Sequence, residues 1–276
     1  MIYEDLKADC KKCFGFCCVA LYFSSTEGFP ENKDAGYPCT NLEDDFKCSI
    51  HKKLTQNGLK GCTAYDCFGA GQKVAQVTYS KKDWRRNSDK SKEMFDVFLI
   101  MRQLYEMIWY LTEAFRIQTD STMKEKINIA IDKTRNLTNL DAESLIKLDL
   151  VVYRNNINRL LLETSESIRS KFPKGQKNNL KGRKKIAGRL DLIGVNLRKV
   201  KLAGEDLSGA LVIAADLRGV DLSGTDLIGA DLRDADIRGA NLKNSIYITQ
   251  IQINGARGDS NTKLPISLVY PDHWDK

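Results

Sequence analysis

Residues 190–244 divide by fives as LDLIG VNLRK VKLAG EDLSG ALVIA ADLRG VDLSG TDLIG ADLRD ADIRG ANLKN. The middle position is apolar in every unit: Leu192, Leu197, Leu202, Leu207, Val212, Leu217, Leu222, Leu227, Leu232, Ile237 and Leu242. Two residues earlier most units place a small or short side chain, such as Ala210, Ala215, Thr225 or Ala235. Asp or Asn usually precedes the central residue, and Gly often closes the unit. Neither the 3.6-residue period of a helix nor the two-residue period of a strand repeats every five. A strict five therefore implies a coil with corners, each unit forming one side. Large and small inward residues then fill a narrow interior, the polar positions face water, and Gly serves the tight turns.

This stretch resembles the pentapeptide-repeat family, whose pattern is A-(D/N)-L-x-x. The resemblance covers about 190–249 and implies a short right-handed quadrilateral β-helix with four units per turn. With SIYIT (245–249) as a degenerate last unit, twelve units make three turns, a column only about 14 Å tall at one strand spacing per turn. Stacked repeats need capped ends. The helical region or the basic linker is expected to cover the start, and the tail the other end.

Outward from the repeat, the chain reads as a multidomain α + β protein in five parts. Residues 1–80 form a cysteine-rich metal-binding domain, 88–172 a three-helix domain, 173–189 a basic linker, 190–256 the repeat, and 257–276 a C-terminal tail or cap. In the helical part Phe95, Phe98, Leu99, Met101, Leu104, Tyr105, Ile108, Trp109 and Leu111 keep a helical period over a wide face, which asks for partners on more than one side. A second helix is expected from near Thr122, with Glu125 completing a capping box. A third runs from near Asp141 to before Pro173, carrying Leu145, Leu148, Val152, Ile157, Leu160, Leu161 and Ile168 inward. The linker holds Lys174, Lys177, Lys181, Arg183, Lys184, Lys185 and Arg189 with no acid, which equals the whole formal excess of +7. It reads as a solvated connector or, more sharply, as a contact for an anion.

All eight cysteines, Cys10, Cys13, Cys17, Cys18, Cys39, Cys48, Cys62 and Cys67, lie in the first 67 residues, and the remaining 209 residues hold none. The start MIYEDLKADC lacks a basic stretch followed by an apolar core. The most apolar run, 94–111, is broken by Asp96, Arg102 and Glu106 and is too charged to span a bilayer. A cytoplasmic protein with reduced thiols is therefore expected. A C-x2-C turn can set two sulfurs on one tetrahedral ion, and later cysteines can close the shell. Thiolates suit Zn²⁺ or an iron–sulfur cluster, and the residues do not choose between them. Four disulfides and unpaired buried thiols are the competing readings. A turn-rich region this small commonly needs a staple. Neighbouring side chains diverge in most backbone conformations, so Cys17 and Cys18 imply either two metal centres or one free thiol, a redox or nucleophile candidate.

The run C-x2-C-x3-CC with YPCTNLEDDFKCSIH and GCTAYDC resembles a family of zinc- or iron-chelating cysteine-cluster domains, over about 10–67. That resemblance implies metal binding by the eight cysteines. His51 is read as packing beside the site rather than as a ligand. GAGQK (69–73) lacks phosphate-loop spacing and reads as a turn. The basic–aromatic WRR (84–86) reads as a solvated face. With only His51 and His273 in the chain, a histidine-based triad is disfavoured.

Three functions compete. A non-catalytic protein-interaction or scaffold protein, stabilised by metal, needs no catalytic constellation. An iron–sulfur or other metal-dependent redox enzyme would use the thiols. A DNA-mimic topoisomerase modulator, as some repeat-family members are, would need an acidic column. Residues 190–256 carry nine acids against seven bases, a poor imitation of a duplex with one charge per about 1.7 Å. A protein partner is therefore expected, nucleic acid is disfavoured, and no membrane span is seen.

Overall fold

A computed structural model describes residues 3–172, 180 and 182–274. The chain divides into two compact units, Met1–Phe115 with Asp120–Leu160, and Arg116–Thr119 with Leu161–Lys276.

The first unit opens with short elements: a 3-10 turn Cys10–Lys12, helix α1 (Phe16–Ala20), helix α2 (Lys60–Ala64), helix α3 (Ala70–Lys73) and a π-helical turn Val74–Thr78. Helix α4 (Ser91–Ile117) follows and is buried almost all round from Met107 to Ala114, as its broad apolar stripe requires. Helix α5 (Ser121–Leu137) begins on Asp120, whose side chain accepts from Met123 N–H at 2.7 Å. The helix thus starts just before Thr122, and the cap is the carboxylate, a stronger N-cap than Thr. The expected third helix is two: α6 (Ala142–Ile146), capped by Asp141, and α7 (Leu150–Arg169). Leu145, Ile157 and Leu161 are buried as read, but Val152 is exposed. The break after Ile146 resets the helical phase and turns Val151 and Val152 outward. The Arg154–Glu106 ion pair (3.1 Å) and the Tyr153–Thr134 hydroxyl pair (2.7 Å) tie α7 to α4 and α5.

In the second unit residues 173–179 and 181 lie outside the described residues, and with them Lys174, Lys177 and Lys181 of the basic linker. Its described end is a hairpin, β1 (Lys185–Ile186) paired antiparallel with β2 (Arg189–Leu190), turning through Ala187 and Gly188 at positive φ. Beyond it the chain coils with a twenty-residue repeat. Parallel bridges join Asp191 to Leu211, Asn196 to Asp216, Asp206 to Asp226, Leu211 to Asp231, Asp221 to Asn241 and Asp226 to Ile246. Four five-residue sides therefore make each turn. All eleven central apolar residues are at most 1% exposed.

The coil also explains its own pattern. At nine units the Asp or Asn before the central residue accepts from the backbone N–H two residues on, as Asp206 does from Ser208 (3.0 Å) and Asn241 from Lys243 (3.3 Å). This side-chain turn satisfies a backbone donor at a corner, where neither helix nor ladder can. Closing glycines such as Gly209 (φ +63°) and Gly229 (φ +62°) are left-handed, and Ala214 and Asp234 take the same conformation without being glycine.

The tail continues the coil. Arg257 bridges to Asp236 and Lys263 to Asn241 after a short helix α8 (Gln250–Gly255). Trp274 then covers Gly258 and donates to Ala256 O at 3.0 Å. The last turns of α7 lie along one side: Ser165 donates to buried Asp226, Arg169 pairs with Asp206 (3.3 Å), and Leu161 O accepts from Tyr247 OH (2.9 Å). Among the described residues no helix is long and apolar enough to cross a membrane.

Candidate functional site

Between residues 21 and 67 only Phe23, Phe29 and Leu59 are buried. The two rings stack at 4.5 Å, with Cys39 and Cys62 packed against the cluster. Regular structure over the same span amounts to α2, short 3-10 turns and two isolated bridges, Phe23 to Lys33 and Leu42 to Cys48. So small an apolar core stabilises a segment of this length only marginally.

Four of the cysteines, Cys39, Cys48, Cys62 and Cys67, sit in this thinly packed region, the other four precede it, and all eight are free thiols. Cys10 and Cys13 lie on one 3-10 turn, Cys13 N–H reaching Cys10 O at 3.4 Å. Asp9 N–H donates to Gln72 Oε1 (2.7 Å), Gln72 Nε2 to Lys7 O (2.8 Å) and Gln76 Nε2 to Lys12 O (2.8 Å). These bonds clamp the turn onto the segment that follows Cys67. The approach is so close that a Cβ on Gly71 would stand 2.6 Å from Cys13 Sγ. GAGQK is thus a packing turn: Gly69 enters α3 in the left-handed conformation, and Gly71 makes room for a thiol.

Cys17 and Cys18 are consecutive on α1, their sulfurs 3.9 Å apart. From Cys18 the contacts lead elsewhere. Its carbonyl accepts from Cys39 N–H at 2.9 Å, and Cys48 bridges to Leu42 beside Cys39. The aromatic cluster Phe14, Phe46 and Trp84, with Phe16 stacked on Phe98 at 5.4 Å, fastens α1 to α4. Trp84 is therefore core and not part of a solvated basic face, and its Nε1 donates to Phe14 O at 2.8 Å. Arg85 lies over the Phe46 ring at 4.6 Å. His51 and His273 are both exposed.

Burial, reinforced by neighbouring sulfurs, pushes the thiols of Cys10 up to about 11, Cys13 to about 12 and Cys62 to about 12. Burial raises Cys48 and Cys67 as well. The Cys17–Cys18 pair shares a hydrogen bond that raises Cys17 and lowers Cys18, and the Lys33 ammonium favours charge on Cys18. Lys33 itself is held by Tyr37 O (2.8 Å) and Asp34 O (2.9 Å).

The donor set suits a soft cation: eight reduced sulfurs, four of them in a segment short of core. The sulfur positions do not close on one. Among the described residues no three Cys, His, Asp or Glu side chains converge as an ion requires. Beside the Cys10 turn lies an open cleft of about 750 Å³, lined by residues that include Asp5, Lys7, Asp9, Lys73, Tyr105 and Arg135. Its charges are of both signs.

The carboxylates along the coil are engaged. Arg218 pairs with Asp216 (2.7 Å) and reaches Asp236 (3.6 Å), while Arg233 pairs with Asp231 (2.7 Å) and Arg238 with Asp236 (2.6 Å). The Arg218 guanidinium holds the Asp216 carboxyl down to about 2. These are charge ladders on a surface, not an acid–base pair with divergent environments.

A twenty-residue coil built from A-(D/N)-L-x-x units defines the class as a pentapeptide-repeat protein, and residues 206–244 match the family described as Pentapeptide repeats, in eight copies. The whole chain belongs to the same family as "Uncharacterized protein YybG" of Bacillus subtilis (strain 168), to which it is 49% identical over 273 residues, covering 99% of this chain and 96% of that one. A similar solved structure is the pentapeptide repeat protein Rfr23 from the cyanobacterium Cyanothece 51142. It is 32% identical over 27% of this chain, with a TM-score of 0.21, and the match spans 46% of that protein's length.

Proposed function

We propose that this protein is a non-catalytic interaction scaffold whose cysteine-rich front is held together by thiolate-ligated metal, Zn²⁺ or an iron–sulfur cluster. The observation that carries this reading is the mismatch over 21–67, where three buried residues and two isolated bridges accompany four of the eight free thiols. A structural zinc site contributes about 10–16 kcal/mol in apparent binding to finger peptides, ample to order such a segment. Binding would draw the sulfurs of each neighbourhood inward and displace their protons. The repeat, read as a right-handed quadrilateral β-helix, would serve as a rigid polar docking face for a protein partner. Its paired Asp and Arg residues favour that role over imitation of a nucleic-acid duplex. The test is elemental analysis with an absorption spectrum on protein purified without air. Stoichiometric zinc in colourless protein supports the scaffold. A band near 400 nm with iron and sulfide would move the reading to redox chemistry, and metal-free folded protein would end it.

A further inference from the structure

We propose that the start of the coil is a docking surface for an anionic lipid bilayer, where a rim of unpaired cations meets the headgroups and two exposed isoleucines, Ile186 and Ile193, enter the layer beneath them.

Hydrogen bonding places the hairpin at that end. Along a strand, alternate residues direct their backbone groups to opposite edges. Leu190 O and Leu192 N–H bond to Leu211 of the next turn (2.8 and 2.9 Å), whereas Asp191 N–H bonds on the other edge to Lys184 O (3.0 Å). β1 is therefore an extra rung laid over the first turn, and residues 184–188 are all exposed on it. Register then sets the side chains. Ile186 pairs with Arg189 and Lys185 with Leu190. Residues opposite one another share a face, as do residues two apart on a strand. Lys184, Ile186 and Ile193 thus stand on one side of the coil, around Asp191, whose carboxylate accepts from Ile193 N–H (3.2 Å). Ile186 is 40% exposed and Ile193 46%. Arg198, Lys199 and Lys201 follow on the next two sides of the same turn and are exposed too.

Charge along the coil has the same polarity. Residues 183–204 carry seven bases against one acid, and 205–244 eight acids against four bases. In the later turns Arg218, Arg233 and Arg238 are each held by an aspartate. Among the described residues Lys184, Lys185, Arg198, Lys199 and Lys201 enter no ion pair, so their charge is open to a partner. Five such cations attract any polyanion, and the isoleucines select lipid. Against a solvated sugar–phosphate backbone an exposed isoleucine gains nothing. At a bilayer the cations draw on the headgroups while the apolar side chains leave water. Val151 and Ile266 are more exposed, but their segments, 141–154 and 257–274, hold at least as many Asp and Glu as Lys and Arg.

The test is flotation of the full chain with vesicles of phosphatidylcholine, alone or with about one quarter phosphatidylglycerol. Partition into the anionic vesicles should be at least about tenfold stronger, and weaker in high salt. Lys184→Glu/Lys185→Glu should weaken it about 25-fold or more, about fivefold for each lysine charge lost. Ile186→Ser/Ile193→Ser should weaken it about tenfold, and Ile266→Ser should leave it unchanged. Equal partition into both vesicles, or none, overturns the proposal. So does partition that the serine pair leaves intact, which would mark a general polyanion surface. Should the variants misfold, tryptic cleavage after Lys184 and Lys185 of the native chain still decides. Anionic vesicles should slow it, while neutral vesicles and single-stranded RNA of matched charge should not. Equal protection by RNA, or no protection by anionic vesicles, refutes the lipid assignment.

Discussion

Phe172 occupies the space that a side chain on Gly224 would need: a Cβ there would stand 2.2 Å from the ring. Gly204, one turn of the coil earlier, is covered by the same residue, its Cβ position 2.5 Å from that of Phe172. Two left-handed glycines twenty residues apart thus make a flat seat for an aromatic ring. Gly224→Ala should cost about 2–4 kcal/mol, combining the left-handed penalty with overpacking. Gly209→Ala, at φ +63° with open space around it, should cost only the backbone part, about 1–2 kcal/mol. Urea denaturation of both variants checks the difference, and equal costs would remove Phe172 from the explanation.

Ala214 holds φ +54° at a corner where most units carry Gly. Ala214→Gly relieves that strain and should stabilise the coil by about 0.5–1 kcal/mol, net of the added freedom of the unfolded chain. The shift in the thermal or urea midpoint reads it directly.

Asp221 accepts from Ser223 N–H (3.0 Å), Ser223 Oγ (2.6 Å) and, one turn away, Asn241 Nδ2 (3.0 Å). Asp221→Ala should destabilise by about 1 kcal/mol, the net worth of an exposed hydrogen-bonded corner. Asp221→Asn keeps an acceptor for the backbone N–H and should lose less than half of that. The same denaturation series separates the two.

Asp226 is buried, and burial lifts its carboxyl above the usual range despite the Ser165 hydroxyl and the Ile228 N–H. Because the folded value is raised, ionisation penalises the native state at neutral pH, and the penalty disappears as pH falls below the ordinary carboxylate range. Asp226→Asn, which retains an acceptor for Ile228 N–H, should therefore be more stable than the native chain at pH 7. The two should converge at about pH 3–4. A pH series of unfolding midpoints tests it, and a gap that widens on acidification would reverse the assignment.

Removal of metal from the loaded chain should open residues 10–67 and leave the coil closed. Hydrogen exchange would show protection lost at Cys39 and Leu59 N–H and retained at Leu217 and Leu222 N–H, which donate to Asp236 O (2.8 Å) and Asn241 O (2.9 Å). Uniform loss across both segments would show that the coil depends on the front.

The repeat was legible because its signal is local and recurs. A five-residue period, an acceptor before each central apolar residue and a glycine after it report the same corner again and again. The helices were legible in part. The wide stripe over 94–111 foretold a buried helix, but the break after Ile146 carries no strong signal, and Asp120 outcompeted Thr122 as a cap because a carboxylate is the better acceptor. Trp84 was misread because WRR looks basic and solvated until Phe14 and Phe46 are brought beside it. The thiols were visible as a cluster but not as neighbours.

From its own letters the chain determined a four-sided coil and a thiol-rich front, since periodicity and composition act between residues close in sequence. The tertiary structure alone decided that Cys39 and Cys62 share one apolar seat, that Asp226 is buried where its counterparts are half-buried or exposed, and that Phe172 rests on Gly204 and Gly224. Those relations join residues tens of positions apart. Their energies come from burial and close approach, which exist only once distant segments have packed.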